Sequence, residues 1–345
     1  MTRTYGSQSM SDPLRTVLVR RPDDSFAGAD PKRWGYAAKP NLAKAQKEHD
    51  GLVDLLEQSG IEVRYHGEPQ PGRADSMFVH DPAIVTDRGA VILRMGKKLR
   101  RGEEASMARA LERLHVPISA TLRGEATAEG GDLLWVNHDE LAVGRGFRTN
   151  AEGLRQVRQA MRAIGVEVEP VSLPYFQGPK ACLHLMSLVS LLDDDLAVVY
   201  PRLFPVPFWD YLEDRAFEFV EVPDEEFETM APNVLAVAPR DCIMLEGNPI
   251  TKRRLEEAGC RVRTYRGNEI SLKAEGGATC LTRPIHRSRS SHAGAGGSAR
   301  GGGLEAKTKD GHRLPTRMRS VLIRDGWNKL QRVHTLDVGR DASRR

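Results

Sequence analysis

The tetrapeptide Ala-Glu-Gly-Gly occurs twice in this chain, and each copy stands beside a residue that could do chemistry. The first copy supplies Glu129 and runs directly into Asp132, and the second, at 274–277, is followed closely by Cys280. A thiol after a Gly-Gly turn can be exposed and activated by a neighbouring base, which would make it a nucleophile. The ordinary alternative is a buried structural cysteine near a coincidental Gly-rich turn. The spacing alone leaves both interpretations open.

Other polar residues could join the same chemistry. His184 stands alone in the apolar sequence CLHLMSLVSLL, where an imidazole is either an acid/base group or a satisfied core side chain. Asp81 opens a predicted strand before a proline, and Arg100 and Arg148 are either functional or plain surface charges. The sequence lacks the phosphate-binding patterns GxGxxG and GxxxxGK[ST] and the serine-nucleophile pattern GxSxG. The candidate set is therefore a thiol, an imidazole, several carboxylates and two arginines.

Repeated elements are predicted to position these residues. Strands and helices alternate from about residue 14 to 285, and a hairpin–helix–strand unit recurs at 82–120, 132–173, 190–222 and 233–265. Units that each leave one apolar face unburied stack or close into a ring. In a ring the equivalent turns point at the centre, so each Ala-Glu-Gly-Gly turn could deliver its neighbour to a shared central site. Paired glycines permit the tight backbone geometry that such a turn needs.

Composition limits the class of protein. The chain has 345 residues, of which 40% are hydrophobic, so it can build one large domain or two ordinary ones. No apolar run reaches the roughly 18 residues that cross a bilayer, and the N-terminal sequence MTRTYGSQSMSDPLR has no apolar signal core. The four cysteines form no CxxC pair and no zinc-like cluster. We therefore expect free thiols in the cytoplasm, no membrane association and no metal.

The C-terminal residues differ from the rest of the chain. Residues 283–345 contain 15 basic and five acidic residues, a net charge of +10, whereas the other residues, 36 basic and 42 acidic, carry −6. We expect a catalytic domain at 14–287 and a disordered Gly/Ser/Arg-rich tail at 288–345, with RSVLIRDGWNKLQRV as a short basic amphipathic helix. The tail either binds a polyanion or is an extension without function. Nucleic acid is not favoured as the main partner, because no aromatic-interleaved basic face is present.

Six motifs occur in an order that resembles one family. FVHDPAIV, LRRGEE, AEGGDLLWV, VGRGFRTNAEG, CLHLMS and EGGATCLT are similar to motifs of the guanidine-modifying superfamily, most of all to those of dimethylarginine dimethylaminohydrolases. Arginine deiminases and amidinotransferases are relatives in that superfamily. The resemblance covers about residues 14–285 and implies a pentein-type α/β fold, a five-bladed ββαβ propeller with the active site on its central axis.

The resemblance also implies a cysteine hydrolase that needs no cofactor. Cys280 matches the nucleophile, His184 the acid/base, and Glu129 the carboxylate that works with the histidine and holds the guanidinium. The thiolate attacks the guanidinium carbon, the imidazolium protonates the departing amine, and a thiouronium adduct is then hydrolysed to a ureido product. The implied substrate is an Nω-methylated arginine, which gives citrulline and an alkylamine.

Five further residues match substrate-binding or supporting positions of that family. Asp81 and Asp75 resemble carboxylates that contact the substrate, and Asp132 completes the EGGD motif in a supporting place. Arg100 and Arg148 match the arginines that clamp the substrate α-carboxylate. These types suit the ligand, because carboxylates hold a planar guanidinium by paired hydrogen bonds and arginine forks hold a carboxylate.

Several alternatives stay open. His80 stands where the family often has Glu, and Met186 stands where deiminases tend to have Asp. The stretch 27–40, with Trp34 and Tyr36, could form a lid of different shape. The rivals are an arginine deiminase, a hydrolase of another guanidino compound, an amidinotransferase and a non-enzymatic binding protein. A homodimer is also left open.

Overall fold

The structure is a computed structural model that describes residues 4–289 and two further strands at 316–324 and 330–338. The chain divides at residue 290 into two compact units. The first unit contains all the predicted site residues. No helix in the described part of the chain is long and apolar enough to cross a bilayer.

Fifteen strands and seven α-helices lie between residues 4 and 289. The strands are β1 (Leu14–Val19), β2 (Glu62–Tyr65), β3 (Ala83–Thr86), β4 (Gly89–Ile92), β5 (Ile118–Thr121), β6 (Leu133–Asn137), β7 (Glu140–Arg145), β8 (Glu167–Ser172), β9 (Val189–Leu191), β10 (Leu196–Val199), β11 (Glu218–Glu221), β12 (Leu235–Ala238), β13 (Asp241–Leu245), β14 (Arg261–Tyr265) and β15 (Arg283–Arg287). The helices are α1 (Asp24–Ala27), α2 (Pro31–Trp34), α3 (Leu42–Gln58), α4 (Glu103–Arg113), α5 (Ala151–Arg162), α6 (Val206–Glu213) and α7 (Pro249–Glu257).

The strands form five three-stranded sheets with one repeated topology. In four of them an antiparallel hairpin is followed by a helix and by a third strand that pairs in parallel with the second, as in β3–β4–α4–β5. The four predicted hairpin–helix–strand units are thus confirmed to within a few residues. The predicted five-bladed ββαβ architecture of an α/β protein is confirmed as well.

The remaining sheet joins the two ends of the catalytic unit. Strand β15 pairs antiparallel with β1, and β1 pairs in parallel with β2, so the last strand completes the first sheet. The segment before β1 joins this sheet too, because Gly6 N donates to Ile285 O at 2.9 Å and Arg287 N donates to Gly6 O at 2.8 Å. The compact unit therefore begins before the predicted residue 14.

Burial explains why the repeated unit is readable in the sequence. Strands β3 (AIVT) and β4 (GAVI) are buried at every position, because both of their faces are covered. The third strands stay partly exposed, and three of the four in the repeated units carry charged residues, as in β8 (EVEPVS), whereas β5 (ISAT) carries none. Helix α5 buries Val157 and Met161 in the same cluster as Val143 of β7. The first two strands of each unit are therefore internal, and the third lies near the surface.

The tail differs from its prediction where the structure describes it. Strands β16 (Thr316–Arg324) and β17 (Leu330–Val338) pair antiparallel, from Thr316 opposite Val338 to Arg324 opposite Leu330. Strands therefore stand where the short helix was predicted, whereas the disorder of the tail stays a prediction, and the rest of the tail lies outside the described residues. The sequence between them contains Asp-Gly, a hairpin signal, and the flanking residues include β-branched pairs that favour strands.

Truncation tests the boundary. A chain that ends at Arg289 is expected to fold and to keep the thermal midpoint of the catalytic unit, because the last strand of the five sheets ends at Arg287. It is also expected to lose low-salt affinity for a polyanion such as heparin, because the removed residues 290–345 contain 12 basic and five acidic residues, a net charge of +7. Circular dichroism melting and a salt-dependent column measure the two effects. A truncated chain that cannot fold would contradict the boundary.

Candidate active site

The segments that precede the first strands of the sheets meet around one cavity. Its volume is about 410 Å³, and its lining includes Asp81 before β3, His184 before β9, Asn233 before β12 and Cys280 before β15. The segment before β6 supplies Glu129, which contacts His184 from outside the cavity lining. The repeated topology thus places equivalent segments of all five units in one region.

His184 is held by a carboxylate that solvent does not reach. Its Nε2 lies 2.7 Å from Oε2 of Glu129, and Glu129 is 0% exposed. Glu129 also accepts from Lys97 N at 2.8 Å and from Arg148 Nη1 at 3.3 Å. Burial alone would raise the pKa of Glu129, but the hydrogen bond with His184 and the charge of Arg148 hold it well below its usual range. Glu129 is therefore an anion that keeps the imidazole ring in place.

The imidazole is charged for the same reason. Burial lowers the pKa of His184, but the neighbouring Cys182, Asp132 and Glu129 together raise it well above its ordinary value. Its Nδ1 lies 3.8 Å from Sγ of Cys182, a half-buried thiol that also lines the cavity. The sequence alone gives no sign of this contact. An imidazolium at this place can donate a proton to a group in the cavity.

Asp132 holds the backbone next to His184 by a hydrogen bond. Its Oδ1 accepts from Leu185 N at 2.9 Å, immediately after His184, and its Oδ2 accepts from the Thr149 hydroxyl at 2.6 Å. Asp132 is fully buried, and burial raises its pKa to about 6. It does not line the cavity, which agrees with a supporting place rather than a contact with a ligand.

Asp81 and Arg100 form a buried pair at the cavity wall. Arg100 Nη1 donates to Asp81 Oδ2 at 2.5 Å, and its other nitrogens donate to Glu103 and to Phe78 O. Burial raises the pKa of Asp81, but the charge of Arg100 lowers it below its usual value. Burial likewise raises the pKa of Glu103 to about 7 against the effect of Arg100. Arg100 also lines the cavity, and these acceptors occupy four of its five N–H groups, so its predicted role as a clamp on a substrate carboxylate stays a prediction.

Arg148 is held more loosely. Its Nη1 lies 3.3 Å from Glu129 Oε2 and its Nη2 lies 3.4 Å from Ala181 O. Both contacts are long for a charge-assisted hydrogen bond. The turn that presents Arg148 also starts α5, because the Asn150 side chain accepts from Gly153 N at 2.7 Å. Arg148 is thus a buried cation in the cavity wall that can turn to an anionic ligand.

The stretch 27–40 borders the cavity and is tied to it. The Tyr36 hydroxyl donates to Asp75 Oδ1 at 2.6 Å, and Lys97 Nζ donates to Asp75 Oδ2 at 2.6 Å and to Trp34 O at 2.7 Å. Trp34, Asp75 and Lys97 all line the cavity. Asp75, predicted to contact a substrate, therefore also connects the covering segment to the wall. Lys97 was missed because a lysine in the sequence GKKLRRGEE resembles a surface charge.

Close backbone contacts explain the repeated Ala-Glu-Gly-Gly. A Cβ on Gly131 would lie 2.4 Å from Nδ1 of His184, and a Cβ on Gly277 would lie 2.4 Å from Oδ1 of Asn233. Both distances are far below a normal van der Waals contact. The two motifs are therefore equivalent turns in two of the five units, each with a polar side chain packed on a bare backbone.

The surroundings of Cys280 favour its neutral thiol. Burial and the charge of Asp81 raise the pKa of its thiol to about 11, although the charge of His184 lowers it.

His80 and Met186, the two departures from the family pattern, do not line the cavity. The His80 ring is buried with Nδ1 2.9 Å from Thr282 O, and burial lowers the pKa of His80 to about 3. A neutral imidazole therefore stands at that position.

Comparisons with known proteins agree with this geometry. A family model described as "N,N dimethylarginine dimethylhydrolase, eukaryotic" matches residues 22–287. The Pseudomonas aeruginosa N(G),N(G)-dimethylarginine dimethylaminohydrolase is 28% identical over 78% of this chain and 98% of its own. The arginine deiminase of Listeria welshimeri is 24% identical over 72% of this chain and 69% of its own. A structure of the Pseudomonas aeruginosa enzyme, a mutant complexed with citrulline, superposes with a TM-score of 0.67 at 26% identity, over 79% of this chain and all of the other.

Glu129→Gln tests the charge relationship in the site. Removal of the anion is expected to lower the pKa of His184 by about one unit or more, because an opposite charge in contact favours the imidazolium. The imidazolium would then deprotonate at a lower pH than in the parent. Proton NMR of the ten histidines, with His184→Ala for assignment, measures the midpoint. Glu226→Gln, which changes a buried carboxylate bound to Ile250 N and Thr251 N, is the matched control. An unchanged His184 midpoint in Glu129→Gln would contradict the pairing.

Proposed function

The chain belongs to the dimethylarginine dimethylaminohydrolase family of guanidine-modifying enzymes, and on that premise we propose that it hydrolyses an Nω-methylated arginine to citrulline and an alkylamine. One observation carries the proposal. Cys280, His184, Asp81 and Arg148 line a single cavity, and Glu129 holds His184 from behind. These residues come from separate parts of the chain, and together they supply a nucleophile, an acid, an anion for a guanidinium and a cation for a carboxylate.

Binding divides between the two sides of the cavity. Asp81 is the carboxylate that faces the guanidinium, and Arg100 keeps it ionised and oriented. Arg148, whose two protein contacts are long, turns to the substrate α-carboxylate. Asp75 takes the α-amino end together with the segment at 27–40. The cavity volume of about 410 Å³ suits a ligand the size of a modified amino acid, because pockets for small ligands start at about 300 Å³.

The substrate itself helps to activate the nucleophile. The resting thiol is neutral, because burial and Asp81 raise the pKa of Cys280 to about 11. A bound guanidinium places a positive charge next to the sulfur and partly cancels the effect of Asp81, so the pKa of the thiol falls. The thiolate therefore forms when the guanidinium binds, and the proton of the thiol passes to water.

The reaction proceeds in two halves. The Cys280 thiolate adds to the guanidinium carbon, and His184 as imidazolium transfers a proton to the departing amine, so the C–N bond breaks and an S-alkyl thiouronium remains. Water then enters, and the neutral His184 takes its proton as the oxygen adds to the same carbon. The carbon–sulfur bond then breaks, and the hydroxyl proton of the intermediate passes to the departing sulfur, so citrulline leaves with Cys280 as a neutral thiol and His184 in its charged form. Glu129 stabilises the imidazolium at both ends of the cycle.

The rivals differ in substrate or acceptor. An arginine deiminase would use unmethylated arginine and release ammonia, and an amidinotransferase would resolve the adduct with an amine. A non-enzymatic binding protein would have no need of a nucleophile beside an imidazolium. We place the reaction in the cytoplasm, since the four cysteines are free, as thiols are in a reducing compartment.

Turnover of methylarginines tests the function directly. Incubation of the purified chain with dimethylarginine, monomethylarginine and arginine in ¹⁸O-labelled water is expected to give citrulline with the label in the ureido oxygen, fastest with a methylated substrate. Cys280→Ser should lose turnover by several orders of magnitude. Cys260→Ser, at the position just before β14, should keep most of the turnover. Mass spectrometry reads the label and the amine. Faster turnover of arginine would favour the deiminase, and formation of guanidinoacetate from added glycine would favour the transferase.

Arg148→Ala tests how binding and chemistry are divided. The Michaelis constant is expected to rise about ten- to a hundredfold with a smaller change in turnover number, because a charge-assisted contact of that strength is lost far from the breaking bond. The Michaelis constant for agmatine, which lacks the carboxylate, should change much less if the enzyme hydrolyses agmatine at all. Arg145→Ala, an exposed arginine at the end of β7, is the control. Equal damage to both substrates through turnover would show that Arg148 acts on the catalytic groups instead.

A further inference from the structure

Asn233 contacts the sulfur of Cys280, although the sequence gives no sign of it. It lies in APNVLAV immediately before β12, the same place that the other site residues occupy in their units. Its Nδ2 lies 3.4 Å from Cys280 Sγ, and its Oδ1 accepts from Thr279 N at 3.0 Å. Asn233 is buried and lines the cavity. One amide thus spans the nucleophile and the residue before it.

The orientation of this amide is fixed by chemistry. A backbone N–H can only donate, so the group that faces Thr279 N must be the oxygen Oδ1. The NH₂ group therefore faces the sulfur and can only donate to it. Gly277 allows this approach, because a Cβ there would lie 2.4 Å from Oδ1 of Asn233. Ser190 fixes the asparagine segment, because its hydroxyl donates to Pro232 O at 2.7 Å and accepts from Val234 N at 3.2 Å.

We propose that Asn233 is a catalytic residue whose Nδ2–H donates to the Cys280 sulfur and preferentially stabilises the thiolate that attacks the substrate. The proposal rests on the proposed role of Cys280 as the nucleophile. A hydrogen bond to the charged form of a group favours that form. The same donor is in place when the carbon–sulfur bond of the adduct breaks and the thiolate leaves, so it assists both halves of the reaction.

The surroundings of the sulfur make such a donor valuable. Of the titratable groups that interact with it, Asp81 and Cys182 disfavour a negative sulfur, His184 favours it, and Tyr265 is a neutral buried phenol. His184 cannot favour the negative sulfur throughout the cycle, because it gives up its proton to the leaving amine. Asn233 keeps its donors at every stage and every pH. Together with the backbone hydrogen bond from Gly277, which also favours the negative sulfur, Asn233 therefore stabilises the thiolate while the histidine changes its charge.

The test measures Cys280 reactivity without any substrate. Asn233→Ala is expected to slow carboxamidomethylation of Cys280 by iodoacetamide at pH 8.5 about three- to twentyfold. This follows because a hydrogen bond to a charged group corresponds to about one to two pKa units, and the higher nucleophilicity of a more basic thiolate returns about half of that effect. Iodoacetamide is uncharged, so a change of local charge does not alter its local concentration. Peptide mass spectrometry assigns the label to Cys280 rather than to Cys182.

Two further variants keep the result decisive. Asn233→Asp retains the size of the side chain and the acceptor for Thr279 N but places a carboxylate next to the sulfur. It should therefore slow alkylation more than Asn233→Ala. It also replaces the alanine variant as the test if that variant does not fold. Asn248→Ala removes the other buried asparagine, whose Nδ2 donates to Thr229 O and Leu245 O, and should leave the rate unchanged. An unchanged or faster rate in folded Asn233→Ala or Asn233→Asp would overturn the proposal. Alkylation needs no turnover, so this outcome is separate from a failure to hydrolyse methylarginine.

Discussion

The site depends on the hydrogen bond between His184 and Glu129, whose carboxylate is buried away from solvent. Loss of one partner of a buried ion pair costs about 3–5 kcal/mol, because the other charge is left without compensation. Here the anion is also satisfied by Lys97 N and Arg148, so its three partners come from three of the five units. The imidazole consequently has one orientation, with Nε2 on the carboxylate and Nδ1 on the cavity side. Acid/base chemistry needs that fixed orientation.

The topology makes this interaction possible. Residues that are about 50 to 200 positions apart meet because each unit begins with a short segment that leads into a buried first strand. Two of those segments contain Ala-Glu-Gly-Gly, and in each the second glycine lies under a polar side chain, His184 in one case and Asn233 in the other. A repeated fold therefore explains a repeated sequence. The different residues that follow the glycines, Asp132 and Cys280, show how equivalent turns acquire different chemical tasks.

Much of this architecture can be predicted from the sequence. The unit boundaries are visible because buried hairpins alternate with charged third strands, and the fold class and the order of the motifs follow. The tail was misread because RSVLIRDGWNKLQRV fits a helical stripe and a strand alternation about equally well, and the pairing partner decides between them. The acceptors of Arg100 could not be predicted, since Glu103 and Asp81 lie on different elements. Asn233 could have been suggested only by its place before a first strand.

The charges around the cavity show why a buried thiol is compatible with a fast reaction. Burial and Asp81 favour a neutral Cys280 thiol, whereas the surrounding groups favour a charged His184, so the acid is in its reactive form before the nucleophile is. A guanidinium changes this balance by its own charge, whereas a neutral ligand of the same shape does not. Selectivity for cations thus follows from activation as well as from binding. The donor on Asn233 acts together with that charge, and since an amide does not titrate, it lets the thiolate persist after the imidazolium has become neutral.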